Sequence, residues 1–153
     1  MNPSRIGASE IIAAAGGALL AVSLLLLPWY ETNAGNPNAK INGQPGSFTG
    51  WEVHSLSRYL LLAAAIAPII LLYIVLRDHQ LSWPRGELTA VVAIAAFGLV
   101  GYAGIIDRPG DPSGEISLKL GWFGAMIGVI AMMVGGALRA SGTERPRKPP
   151  GVL

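Results

Sequence analysis

The residues best suited to chemistry gather in one short stretch, Thr49-Gly50-Trp51-Glu52-Val53-His54. A carboxylate and an imidazole one position apart could share a proton, hold an ion or meet a partner. Glu31 and Asp107 are the acids that could join them. Two ligand-type residues fall short of the three or four that a zinc site takes from the protein. The other histidine, His79, belongs to a different connecting segment. The pattern predicts no metal, no cofactor and no catalytic residue, and it leaves Glu52 and His54 as partner-binding candidates. Glu10 is a third. At helical spacing it shares a face with Gly7, Ala14 and Gly17 and so points toward a bundle interior. Its simplest role is a carboxylate favoured by the dipole at a helix start, with Arg77, Arg85 or Arg139 as partner. The chain has no cysteine, which excludes disulfides, thiol catalysis and Cys-held metals. It contains no phosphate-binding glycine loop, nucleophile elbow or H-E-x-x-H helix.

These residues must be positioned by four apolar runs: Ile6–Leu27, Leu56–Leu76, Leu88–Ile106 and Leu118–Leu138. Each is close to the ~20 residues that a helix needs to cross a hydrocarbon core about 30 Å thick. Lipid offers backbone groups no partners, so the runs must be helices. Hydrophobic residues make up 52% of the chain and charged residues 13%, against about 25% charged in an ordinary soluble domain. The expectation is an all-α membrane protein. A four-transmembrane-helix bundle fills residues 1–140, and 141–153 form a disordered basic cytoplasmic tail. The first run exceeds the ~7–15-residue core of a signal peptide and reads as a true span.

Basic residues set the expected orientation. Arg5, Arg77, Arg85, Arg139, Arg145, Arg147 and Lys148 fall on one side, and Lys40, Arg58, Arg108 and Lys119 on the other. The excess places both termini in the cytoplasm of a cell (inner or plasma) membrane protein. Topology thus accounts for the net charge of +2, and no nucleic-acid partner is expected. Trp29, Tyr30, Trp51, Trp83 and Trp122, with Tyr59, Tyr73 and Tyr102, fall near span ends and are expected to anchor the bilayer interfaces. The long first outer loop, residues 30–55, is rich in Asn, Gly and Pro. Asn42-Gly43 suits a two-residue hairpin turn between Ala39–Ile41 and Gln44–Thr49. Pro84 suits the first turn of the third helix. The tail Glu144-Arg145-Pro146-Arg147-Lys148-Pro149-Pro150 carries a P-x-x-P spacing and reads chiefly as a solvated basic segment near anionic lipid.

Helices in lipid associate through close packing at small residues. Gly121, Gly124, Gly128 and Gly135 fall on one face of the fourth helix. Gly98 and Gly101, with Gly104, mark the third, and Gly17 lies with Gly7, Ala14, Ala18 and Ala21 on the first. These are the expected packing surfaces, within the bundle or between copies. Pro68 predicts a kink in the second helix. The central halves of all four runs hold no ionisable residue. This argues against a proton pump, a carboxylate-coupled transporter or an intramembrane hydrolase.

The pattern Leu27-Pro28-Trp29-Tyr30, then a polar loop, then Thr49-Gly50-Trp51-Glu52, resembles small four-helix membrane proteins of actinobacteria. That resemblance implies an inner-membrane protein and no activity. The layout is more distantly similar to claudins, whose paired loop cysteines and Gly-Leu-Trp element are missing here. The expected function is non-enzymatic. The chain would act as a structural or accessory protein by packing in the bilayer against itself, as a homo-oligomer, or against a larger membrane complex. The alternative is a subunit of an oligomeric channel or transporter.

Overall fold

The computed structural model describes residues 6–77 and 85–141. Arg5, His79, Trp83, Pro84 and the basic tail lie outside them, as does the side chain of Arg85. Four helices are long and apolar enough to cross a membrane. They are α1 (Ala8–Leu26), α3 (Ser57–Leu76), α4 (Arg85–Gly101, continued by a π-helical turn, Tyr102–Ile106) and α5 (Leu120–Ser141). A one-turn helix, α2 (Gly50–Val53), precedes α3. Strands β1 (Pro28–Thr32), β2 (Ser47–Thr49) and β3 (Ile116–Leu118) form a small sheet at one end of the bundle.

Local chemistry sets the boundaries. The Glu10 carboxylate accepts the Gly7 N–H at 2.7 Å and so satisfies a donor at the start of α1. Pro28 disfavours helix at the residue before it, and Leu27 is extended, at φ −98 and ψ 142. The chain therefore leaves α1 directly into β1. The fourth run loses its first residue to β3, because Leu118 pairs with Tyr30. Helix α3 runs through Pro68, which is buried against α1.

The expected hairpin takes a different form. Asn42 and Gly43 have positive φ, 51 and 79, the backbone of a type I′ turn. Ile41 and Gln44 exchange backbone bonds across it. The pairing stops there. Lys40 bridges to Asp111, while β2 crosses over to pair with β1. The sheet order is β2-β1-β3, all antiparallel, so β1 joins the segment after α1 to the segment before α5.

Helix α1 is the spine, packing on α5 and on α3, while α5 also packs on α4. Helices α3 and α4 meet only loosely. Glycines bring the backbones together. A Cβ on Gly16 would stand 2.6 Å from the Gly128 carbonyl oxygen, and one on Gly128 would stand 2.8 Å from that of Gly16. Gly135 meets Ser9 and Ala13, Gly124 meets Ser23, and Gly17 meets Ala65 and Pro68. Gly86 and Gly136 set the α4–α5 crossing, which the glycine pattern of the sequence did not single out.

One expectation is narrowed and one corrected. Gly98 and Gly101 pack against nothing among the described residues, because the side of α4 that carries them faces away from α5, which leaves contact between copies as their expected packing role. The buried face of α1 runs through Ala13, Gly16, Gly17, Leu20, Ser23 and Leu24, rotated from the expected one, which leaves Ala18 exposed.

Forcing a side chain into a backbone contact of this kind costs about 1–3 kcal/mol. Gly128→Val and Gly16→Val are each expected to lower the thermal midpoint in detergent by several degrees. Gly114→Val, whose Cβ meets only open space, should leave it unchanged.

Candidate functional site

The ends of α1 and α4 beneath the sheet carry carbonyls with no helical partner, the problem that every helix end poses. Four side chains answer it. Trp29 donates its indole N–H to the Ser23 carbonyl at 2.8 Å, and Trp122 donates to Val100 at 2.9 Å. The Tyr30 hydroxyl donates to Ala103 at 3.0 Å. Arg108 spans Gly104 and Ile116, with its Nη1 2.9 Å from the latter carbonyl. The π turn is where this is most needed. Asp107 N–H reaches Tyr102 across five residues, and such a register change leaves carbonyls short of donors.

Glycines admit the rings. A Cβ on Gly104 would collide with the Trp122 indole. Gly50 and Gly121 each lie within 2.7 Å, Cβ to ring atom, of Trp29. Pro28 pairs with Thr49 in the sheet. The Leu27–Tyr30 and Thr49–Glu52 segments are therefore two halves of one cap.

This overturns the expected role of three aromatic anchors. Trp29 and Tyr30 are fully buried and Trp122 nearly so. Their polar atoms bond helix carbonyls, so they do not float at an interface. Trp51 is half-buried, with the Arg58 guanidinium 5.0 Å from its ring centroid. Tyr59, Tyr73 and Tyr102, with Phe123, are exposed aromatics near the span ends.

The partner-binding candidates separate. Glu52 is exposed, but its carboxylate accepts from Thr49 N–H at 2.8 Å, while Thr49 Oγ1 accepts from Glu52 N–H at 3.3 Å. This is a capping box that starts α2, and the Thr49-x-x-Glu52 spacing carried that signal. Glu31 pairs with Lys119 and accepts from Ser47 at 3.2 Å. The Lys119 hydrogen bond and charge hold its carboxyl below the usual range. Glu10 pairs with Arg139 at 3.0 Å, at the opposite end of the bundle. A cavity of about 20 Å³ beside that pair has room for one water.

His54 and Asp107 remain together. The His54 Nε2 lies 2.8 Å from the Tyr30 hydroxyl oxygen. Since that hydroxyl gives its one proton to Ala103, Nε2 carries the proton and donates. Nδ1 is then an acceptor, with no hydrogen bond among the described residues. Burial pushes the His54 pKa down, and Asp107 opposes this. Burial also pushes the Tyr30 phenol up, keeping it a donor. Both residues border a recess of about 510 Å³ between α3 and the π turn, His54 and Asp107 at its rim with Tyr30 behind. No three His, Asp or Glu side chains among the described residues stand close enough to share a metal.

No protein-family model, curated protein or solved structure matches the chain.

Two outcomes follow from the cap. Tyr30→Phe strands the Ala103 carbonyl and should cost about 1–3 kcal/mol, read as a lower thermal midpoint. The unfolded chain protonates His54 near its ordinary pKa of 6.5, and the folded chain resists. Its contribution to stability is therefore complete above that pH and is lost as pH falls below it. Melting from pH 7.5 down to 5 should show this decline, and His54→Gln should flatten it.

Proposed function

We propose that this chain is a non-enzymatic, multi-pass membrane protein that works as an accessory subunit, packing in the bilayer through the free face of α4. One observation carries this reading. Val91, Ile94, Gly98, Gly101 and Ile105 recur at alternating three- and four-residue steps, the spacing that aligns one helix face with a neighbour. Val91, Ile94 and Ile105 are 65%, 57% and 70% exposed, and Gly98 and Gly101 meet open space. Every packing glycine of α5 is consumed inside the chain. Those of α4's outer stripe are available, and glycine allows close approach of helices in lipid.

Lys40, Arg58, Arg108 and Lys119 belong to the segments at the cap end, and Arg77 and Arg139 to the other. Together with the tail, this charge bias supports a cap on the outer side and termini in the cytoplasm. The partner is a second copy or a helix of a larger complex.

The absence of native cysteine makes the test direct. Single cysteines at Ile94 or Gly98 should form disulfide-linked species in native membranes, whereas Ala137→Cys, on the exposed side of α5, should not. Gly98→Leu should lower assembly size in mild detergent by light scattering while leaving the thermal midpoint of the chain unchanged. Unaltered assembly with Leu at both 98 and 101 would sink the reading.

A further inference from the structure

A second feature lies on an adjacent face and does not depend on that reading. The loose seam between α3 and α4 is an open cleft of two continuous parts. The inner part, about 300 Å³, is walled by Leu60, Ala63 and Ala67 of α3 and by Val92, Ala95 and Leu99 of α4. It is apolar throughout. Leu60 and Leu99 also border the recess of about 510 Å³ at the cap, where His54, Ser57 and Asp107 replace the alanines. At 1.5 Å per residue, Val92 to Asp107 spans roughly 20 Å. That is close to one leaflet of a core about 30 Å thick plus its headgroup edge.

The alanines make the groove. Larger side chains at Ala63, Ala67 and Ala95 would fill the space between α3 and α4, whereas α1 and α5 leave none because Gly16 and Gly128 bring their backbones together. A cleft that is apolar along its length and polar at one end matches an amphiphile lying parallel to the helices. The polar end specifies more. Asp107 forms no ion pair among the described residues, and His54 presents Nδ1 as an acceptor. The nearest cation in sequence, Arg108, directs its N–H groups to the Gly104 and Ile116 carbonyls and forms no ion pair with Asp107. The rim therefore offers a carboxylate and a nitrogen acceptor to an incoming donor.

We infer that the α3–α4 cleft binds a single membrane lipid whose headgroup ends in a primary ammonium, with an acyl chain between the alanine walls and the ammonium N–H groups on Asp107 and His54 Nδ1. A phosphatidylethanolamine has this chemistry. A phosphatidylcholine carries the same charge but has no N–H to donate, and a phosphatidylglycerol brings its anion to Asp107 without an ammonium.

The test uses the full chain in vesicles of equal parts phosphatidylethanolamine, phosphatidylcholine and phosphatidylglycerol, re-extracted in mild detergent and read by native mass spectrometry. The expected result is one retained lipid per chain, with phosphatidylethanolamine at least fivefold over each of the others. Asp107→Asn should abolish the preference between ethanolamine and choline lipids. Ala95→Phe and, independently from the opposite wall, Ala63→Phe should remove retention of any lipid. Both positions are exposed, and an unchanged thermal midpoint verifies that the bundle persists. Equal retention of the three headgroups, a preference for phosphatidylglycerol, or retention undiminished in both phenylalanine variants would overturn the inference. So would an oligomer with no bound lipid and protein filling the cleft. Gly98→Leu tests the oligomer separately, because its side chain lies outside the cleft.

Discussion

Unpaired carbonyls at the ends of α1 and α4 set the terms for everything above them. A helix that stops near the edge of a hydrocarbon layer cannot leave these groups to water, and each one buried without a donor costs free energy comparable to a lost hydrogen bond. The chain meets the requirement with side chains drawn from far apart in sequence. Trp29 serves its own helix, Tyr30 and Trp122 reach across to α4, and Arg108 folds back on the turn it follows. The β-sheet exists to hold these donors in place. Pairing β1 with both β2 and β3 places Tyr30 and Trp29 beneath a lid that neither connecting segment could form alone.

The glycines fall into two groups with different jobs. Gly16, Gly128 and Gly135 let backbones touch along the spine, where small size permits many weak contacts at short range. Gly50, Gly104 and Gly121 instead make space for indole rings. The second group is why rings of such bulk fit at a helix end, and why their N–H groups reach the carbonyls at all. Substitution in either group would push on a backbone or a locked ring, with no flexible chain end to yield.

How much of this was legible in the sequence depended on range. The four helices were, to within a few residues, because length and apolarity in lipid leave one solution. The Glu10–Arg139 pair is one of three that the sequence left open, since helical spacing turned Glu10 inward without choosing among Arg77, Arg85 and Arg139. The aromatic cap was not. A tryptophan near a helix end reads the same whether it faces headgroups or folds inward. What separates the two is contact with Gly50, Gly104 and Gly121, each of which lies on a different element from its tryptophan's own. The role of Glu52 was readable from Thr49 three residues earlier, while its nearness to His54 in sequence pointed elsewhere. The face of α4 bearing Gly98 and Gly101 was left open between the bundle and a second copy, because a periodic stripe gives a direction on the helix without naming what lies opposite it.

The unequal packing of the helices has a mechanical consequence. With α1 and α5 at the centre, α3 on the flank of α1 and α4 on the flank of α5, the molecule resembles a book bound along the α1–α5 contact. Local stability follows the density of buried contacts, so deformation costs least at the fore-edge between α3 and α4. The cap ties the covers at one end, through Tyr30 and its two partners, His54 before α3 and Ala103 after α4, and the chain itself joins α3 to α4 at the other. The opening between α3 and α4 therefore faces sideways, across the helices, and the buried phenol of one tyrosine bonds to both of its sides at the cap.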